Sequence, residues 1–270
     1  MRPGRRGFTL VEILVVVVLG SLVVLAALQV LLTNQRTYTA QNAVINGQQS
    51  TRMALEVLFN ELRELSPAGG DILAMGQDSL RVRLMRKFSI VCDVSVGGSD
   101  ARLTVLRLPG RRFAPNDSVF VFADNNERDD DDDVWIRAQV SDTAETTCPQ
   151  DGLSAARLEF EGQADLFTAD SVGAGAPVRS HDHFTFGLTT FEGDPYLGRR
   201  QRAEPMVPIA GPLRAGTGIE FVYRDRFGTV TAMPADVRQV VVRVRSGSGV
   251  LNSRGQQVSD SVTAWVYARN

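Results

Sequence analysis

The side chain of this 270-residue chain that stands out for its chemistry is an acid in apolar surroundings. Glu12 interrupts an otherwise apolar run from Phe8 to Leu32. A carboxylate within a membrane-length segment costs about 2.5–3.5 kcal/mol on insertion scales, so either a partner cation offsets it or a function needs it. A second group is the run Asp124-Asn125-Asn126-Glu127-Arg128-Asp129-Asp130-Asp131-Asp132-Asp133. Oxygens from Asp124, Asn126, Asp129, Asp131 and Asp133 could hold Ca²⁺ there. Arg128 at a ligand position and the missing glycine exclude an EF-hand, and a solvated acidic hairpin tip is the competing reading.

His181 and His183 are the only histidines, and at i and i+2 on a strand they would face one side. Without a third ligand, His181-Asp182-His183 reads as loop. Arg199-Arg200-Gln201-Arg202 reads as a solvated turn. Cys92 and Cys148 are the only thiols. In an oxidising compartment they would pair and close a loop worth about 4 kcal/mol; two separate buried thiols are the alternative. There is no glycine-rich phosphate loop, nucleophile elbow or Ser/His/Asp set, so no enzymatic activity is expected. A net charge of −2 without an aromatic series argues against a nucleic-acid partner.

The elements that position these residues follow from periodicity. Ile13 to Leu32 holds no charge, and as a helix its twenty positions span about 30 Å, enough for a bilayer core. A secretory signal peptide cut after Ala26 or a plain uncleaved anchor would share these features. No proline occurs between Phe8 and Pro67, and Leu55, Leu58, Leu62 and Leu65 fall on one helical face. A single helix from Phe8 to Leu65 is therefore expected, apolar all round in its first half and amphipathic in its second. Gly47 is its weak point. After Ser66-Pro67-Ala68-Gly69-Gly70 the period becomes two. Strands are expected at Leu80–Leu84, Leu103–Leu108, Val119–Phe122, Val134–Val140, Leu158–Phe160, Phe184–Phe191, Ile219–Tyr223, Val237–Val244 and Val262–Tyr267, with no second helix.

Gly7 followed by Phe8-Thr9-Leu10-Val11-Glu12, after a leader carrying Arg2, Arg5 and Arg6, resembles the start of a type IV prepilin. The resemblance covers roughly the first thirty residues. It implies a pilin-like α+β fold, a long N-terminal helix packed on an antiparallel β-sheet domain. It also implies cleavage between Gly7 and Phe8 by a prepilin peptidase, N-methylation of Phe8, and pairing of Glu12 with a neighbouring subunit's new ammonium. Arg52-Met53-Ala54-Leu55-Glu56-Val57-Leu58 followed by Glu61-Leu62-Arg63 is similar to the helix end of PilW-like minor pilins and of J-type minor pseudopilins. Gly218 to Asp225, with Phe227-Gly228, Pro234 and Val237 to Val242, resembles their C-terminal strands. Gln29 stands where many major pilins have proline.

The organisation expected is a leader at 1–7, a transmembrane and assembly helix at 8–35, an amphipathic helix at 36–66 and a β-rich exported domain at 67–270. The function implied is that of a minor pilin helping to initiate pilus assembly at the fibre tip. A minor pseudopilin of type II secretion, or a membrane-anchored exported binding module or enzyme, are the alternatives. Partners would be major and minor pilins or pseudopilins through the helix, the prepilin peptidase and the inner-membrane assembly platform, with no cofactor beyond calcium. The chain would cross the inner membrane once, N-terminus cytoplasmic and C-terminal domain periplasmic, before entering a fibre or reaching the cell surface.

Overall fold

The computed structural model describes residues 10–110, 112–125, 133–168, 172–247, 250, 256–257 and 259–268. Among the described residues a helix, α1 (Leu10–Leu62), precedes thirteen strands. They are β1 (Ile72–Met75), β2 (Leu80–Gly97), β3 (Asp100–Leu106), β4 (Ser118–Ala123), β5 (Val134–Gln139), β6 (Asp142–Thr147) and β7 (Ser154–Phe160), then β8 (Pro177–Phe191), β9 (Asp194–Gln201), β10 (Val207–Ala210), β11 (Ile219–Arg224), β12 (Gln239–Arg245) and β13 (Ser261–Tyr267). The fold is a long N-terminal helix on an antiparallel β domain. A five-residue helix, α2 (Ala164–Thr168), corrects the expectation of none.

Every strand pairing is antiparallel. The larger sheet runs β10-β9-β8-β2-β3-β7-β6, with β1 on β2, β4 on β8 and β5 on β4; the smaller runs β11-β12-β13. β2 and β8 form its spine. On β8 the even positions Val178, Phe184 and Phe186 are buried. On β2 the core-facing buried positions are Leu80, Val82 and Leu84 before a register shift between Met85 and Lys87, and Ser89 and Val91 after it, while Arg83 is buried on the opposite face. The extra residue changes β2's parity so that its buried side chains stay on β8's buried face. Two cores therefore lie on one side of this ribbon. One holds Leu80, Val82, Leu84, Phe184 and Phe186 with the helix and the small sheet; the other holds Val91 and Val178 with β3, β4, β5 and β7.

The last three turns of α1 dock by their leucine stripe. Leu55, Leu58, Leu62 and Leu65 are buried beside Val240, Val242 and Val244 of β12. Polar groups fix the register. Ser50 Oγ donates to the Gly211 carbonyl at 2.8 Å, and Thr51 Oγ1 donates to Asp260 Oδ2 at 3.2 Å. Glu61 accepts from Arg86 Nη2 at 3.1 Å and Arg199 Nη1 at 3.3 Å. Arg86 also lies 4.1 Å from the Phe184 ring centroid.

Gly47 does not interrupt the helix, and packing explains the residue. A Cβ there would stand 2.6 Å from Ser246 Oγ and 3.3 Å from its Cβ. Ser246 is buried, and its hydroxyl accepts the Asp260 backbone N–H at 3.1 Å. Gly47→Ala gains about 1 kcal/mol of helix propensity but must displace that hydroxyl, an overpacking cost of about 1–3 kcal/mol. The variant should lower the melting temperature of the globular body. Gly20→Ala, with nothing within 4 Å of its added Cβ, should leave it unchanged.

Candidate assembly site

From Leu10 through Thr39 every residue of α1 is exposed, and Ile13 to Leu32 carries no charge. So long an apolar surface is far larger than the patches a soluble monomer leaves open. By length and composition α1 can cross a bilayer. Its hydroxyls do not spoil that character, because they bond back to the helix. Ser21 donates to the Val18 carbonyl at 2.8 Å and Thr33 to the Gln29 carbonyl at 2.8 Å. Thr37 and Thr39 likewise reach the carbonyls of Thr33 and Gln35. Glu12 is an exposed carboxylate near the start of the described part of α1. Gly7 and Phe8 lie outside the described residues.

Residues 2–28 match the family model described as the prokaryotic N-terminal methylation motif. The chain starts as type IV prepilin-like precursors do. No curated protein and no solved structure matches the chain. The match covers the basic leader, Gly7, Phe8, Glu12 and most of the exposed apolar stretch. Motif and apolar helix together point to a pilin-like or pseudopilin precursor held in the membrane by its N-terminus.

The remaining candidate residues lie in the β domain. Cys92 of β2 and Cys148, just beyond β6, are joined by a disulfide with a Cα–Cα distance of 5.9 Å. β3 and β7 stand between β2 and β6 in the sheet, which would separate them by about 14 Å if flat. The β6–β7 connection therefore reaches back to β2 at Cys92, and the bond fixes it there. Asp124, Asn125 and Asp133 are the described residues of the β4–β5 connection; Asn126, Asp129 and Asp131 lie outside the described residues. No group of three or more His, Cys, Asp or Glu side chains among the described residues is placed to hold a metal ion.

The histidine triplet is strand rather than loop. His181, Asp182 and His183 lie within β8, whose alternate residues feed the core. Both rings share the face opposite the core, with centroids 6.2 Å apart. Burial, reinforced by Arg83, pushes His181 down to about 4, and its buried Nδ1 has no hydrogen-bond partner among the described residues. Burial and Arg81 also lower His183. The imidazole of His181 is therefore neutral at pH 7. Arg199, Arg200 and Gln201 likewise belong to strand β9, not a turn. Arg199 reaches the helix through Glu61, and Arg202, just past the strand, pairs with Asp182 at 2.6 Å.

Proposed function

We propose that this chain is a minor pilin of the PilW-like kind, a non-enzymatic structural subunit that helps initiate a type IV pilus at its tip. The observation that carries the reading is the division of α1. Its first thirty positions expose an unbroken surface, whereas Leu55, Leu58 and Leu62 are buried against the β domain. An apolar rod projecting from a folded body serves two environments in turn, lipid before assembly and sister helices after it. Cleavage between Gly7 and Phe8 by a prepilin peptidase leaves an ammonium at Phe8. Glu12 then pairs with that group on the neighbouring protomer, offsetting the desolvation of both charges. The β domain is periplasmic before assembly and surface-exposed afterwards. The resemblance of Arg52 to Arg63 and of Gly218 to Val242 to minor subunits supports placement at the tip, as does a body with two cores.

The reading is tested by shearing fibres from cells and probing fibre and membrane fractions for this chain. It should appear in fibres at a few copies each, and its deletion should lower fibre number. Its absence from fibres, with fibre number unchanged and protein secretion lost on deletion, would instead make it a minor pseudopilin.

A further inference from the structure

The face of the β2–β8 ribbon opposite the two cores carries side chains of another kind. Arg137 of β5 lies opposite Phe120 of β4, Phe120 opposite Arg179 of β8, and Arg179 opposite Phe88 of β2. Directly opposed residues point to one face, so a single row across four strands reads Arg–Phe–Arg–Phe. The guanidinium carbons of Arg83, Arg137 and Arg179 stand 4.9, 5.3 and 5.3 Å from the Phe120 ring centroid. Arg179 is also 4.2 Å from the Trp135 ring. Further along β8, Thr185 lies between Arg81 and Arg200 on its two neighbouring strands.

Arg83 is the buried member of the set and pairs with Asp71 at 3.0 Å. Arg81, Arg137 and Arg200 are exposed and make no ion pair among the described residues. Phe88 and Trp135 are 47% and 38% exposed, so the strip offers apolar surface between its charges. From the Arg179 row to the Thr185 row is about 20 Å along β8.

We propose that this face docks a short, extended acidic segment of a partner protein. Arg137, laid on the Phe120 ring, is pre-oriented by it, which suits carboxylates better than a mobile lysine would. An extended chain repeats its side chains on one face about every 6.6 Å, the same repeat as the strand beneath it. About six residues would cover the strip. Single-stranded nucleic acid fits less well. Of the rings that would stack bases, Phe120 is covered by guanidinium groups, and Phe122 and Trp135 are turned edge-on to each other at 5.2 Å.

The test titrates the full chain, in non-ionic detergent micelles, with fluorescein-labelled hexa-aspartate and follows anisotropy. Saturable binding is expected. It should weaken roughly tenfold or more when Arg81→Gln, Arg137→Gln and Arg200→Gln are combined. Arg36→Gln, Arg52→Gln and Arg63→Gln, which change net charge equally on the exposed side of α1, should leave affinity as it was. Should the triple variant fail to fold, Arg137→Gln alone must still weaken binding by about threefold. Absence of binding, equal losses in both triple variants, or tighter capture of hexathymidylate than of the peptide would overturn the proposal.

Discussion

Glu12→Ala should leave the amount of this protein in the membrane unchanged or raised, and reduce its incorporation into fibres at least about tenfold. Membrane insertion no longer carries the roughly 2.5–3.5 kcal/mol of a buried carboxylate, so the first step becomes easier. The second step loses a charge pair formed as one helix meets the next. Close interfacial pairs couple by about 1.5 kcal/mol or more, and each 1.4 kcal/mol is a factor of ten. Glu12→Gln separates charge from hydrogen bonding: it keeps shape and acceptor but cannot neutralise an ammonium. It should fall with alanine rather than with wild type. Quantitative blotting of membranes and sheared fibres reads both steps, and equal incorporation of the alanine variant would remove Glu12 from the account.

Cys148→Ser should destabilise the β domain by about 4 kcal/mol, since the bond closes a loop of 56 residues in sequence separation. For a domain of this size that corresponds to a melting temperature lower by roughly 8–16 °C. Loop entropy is only part of the reason. The bond ties the β6–β7 connection to β2, next to a core that contains Val91, Val105, Leu158 and Phe160. Cys92→Ser, the double variant and reduction of the wild type should give the same loss, which calorimetry with and without reductant measures. A melt insensitive to reductant would show that packing alone holds the β6–β7 connection in place.

The fold class was readable because its strongest signals are local. Leu55, Leu58, Leu62 and Leu65 mark a helical face by spacing alone, and Leu80, Val82 and Leu84 alternate as a half-buried strand must. What escaped the sequence depends on neighbours. β6, Asp142-Thr143-Ala144-Glu145-Thr146-Thr147, has almost no apolar residue and exists by pairing with β7. β9 holds Pro195, Gly198 and two arginines, and is a strand because β8 and β10 flank it. The polar triplet around Asp182 looks like loop because one face of β8 is charged and aromatic instead of water-facing in the ordinary way.

The same distinction applies to the candidate sites. Glu12 stands out on hydropathy alone, because a charge among twenty-odd apolar residues needs no fold to be noticed. The Arg–Phe–Arg–Phe row cannot be seen that way. Phe88, Phe120, Arg137 and Arg179 come from four strands, and only the register of three pairings sets them side by side. The bulge between Met85 and Lys87 is equally silent in the sequence, yet it decides which face of β2 meets the core.

The most direct test of the central claim is mass spectrometry of the N-terminal peptide from membranes, in cells with and without their prepilin peptidase. An α-helix that is trimmed and then packed among sister helices must begin at a methylated Phe8 when the peptidase is present, and at Met1 when it is absent. A mature chain beginning at Ala27, or an intact Met1 in both strains, would contradict it.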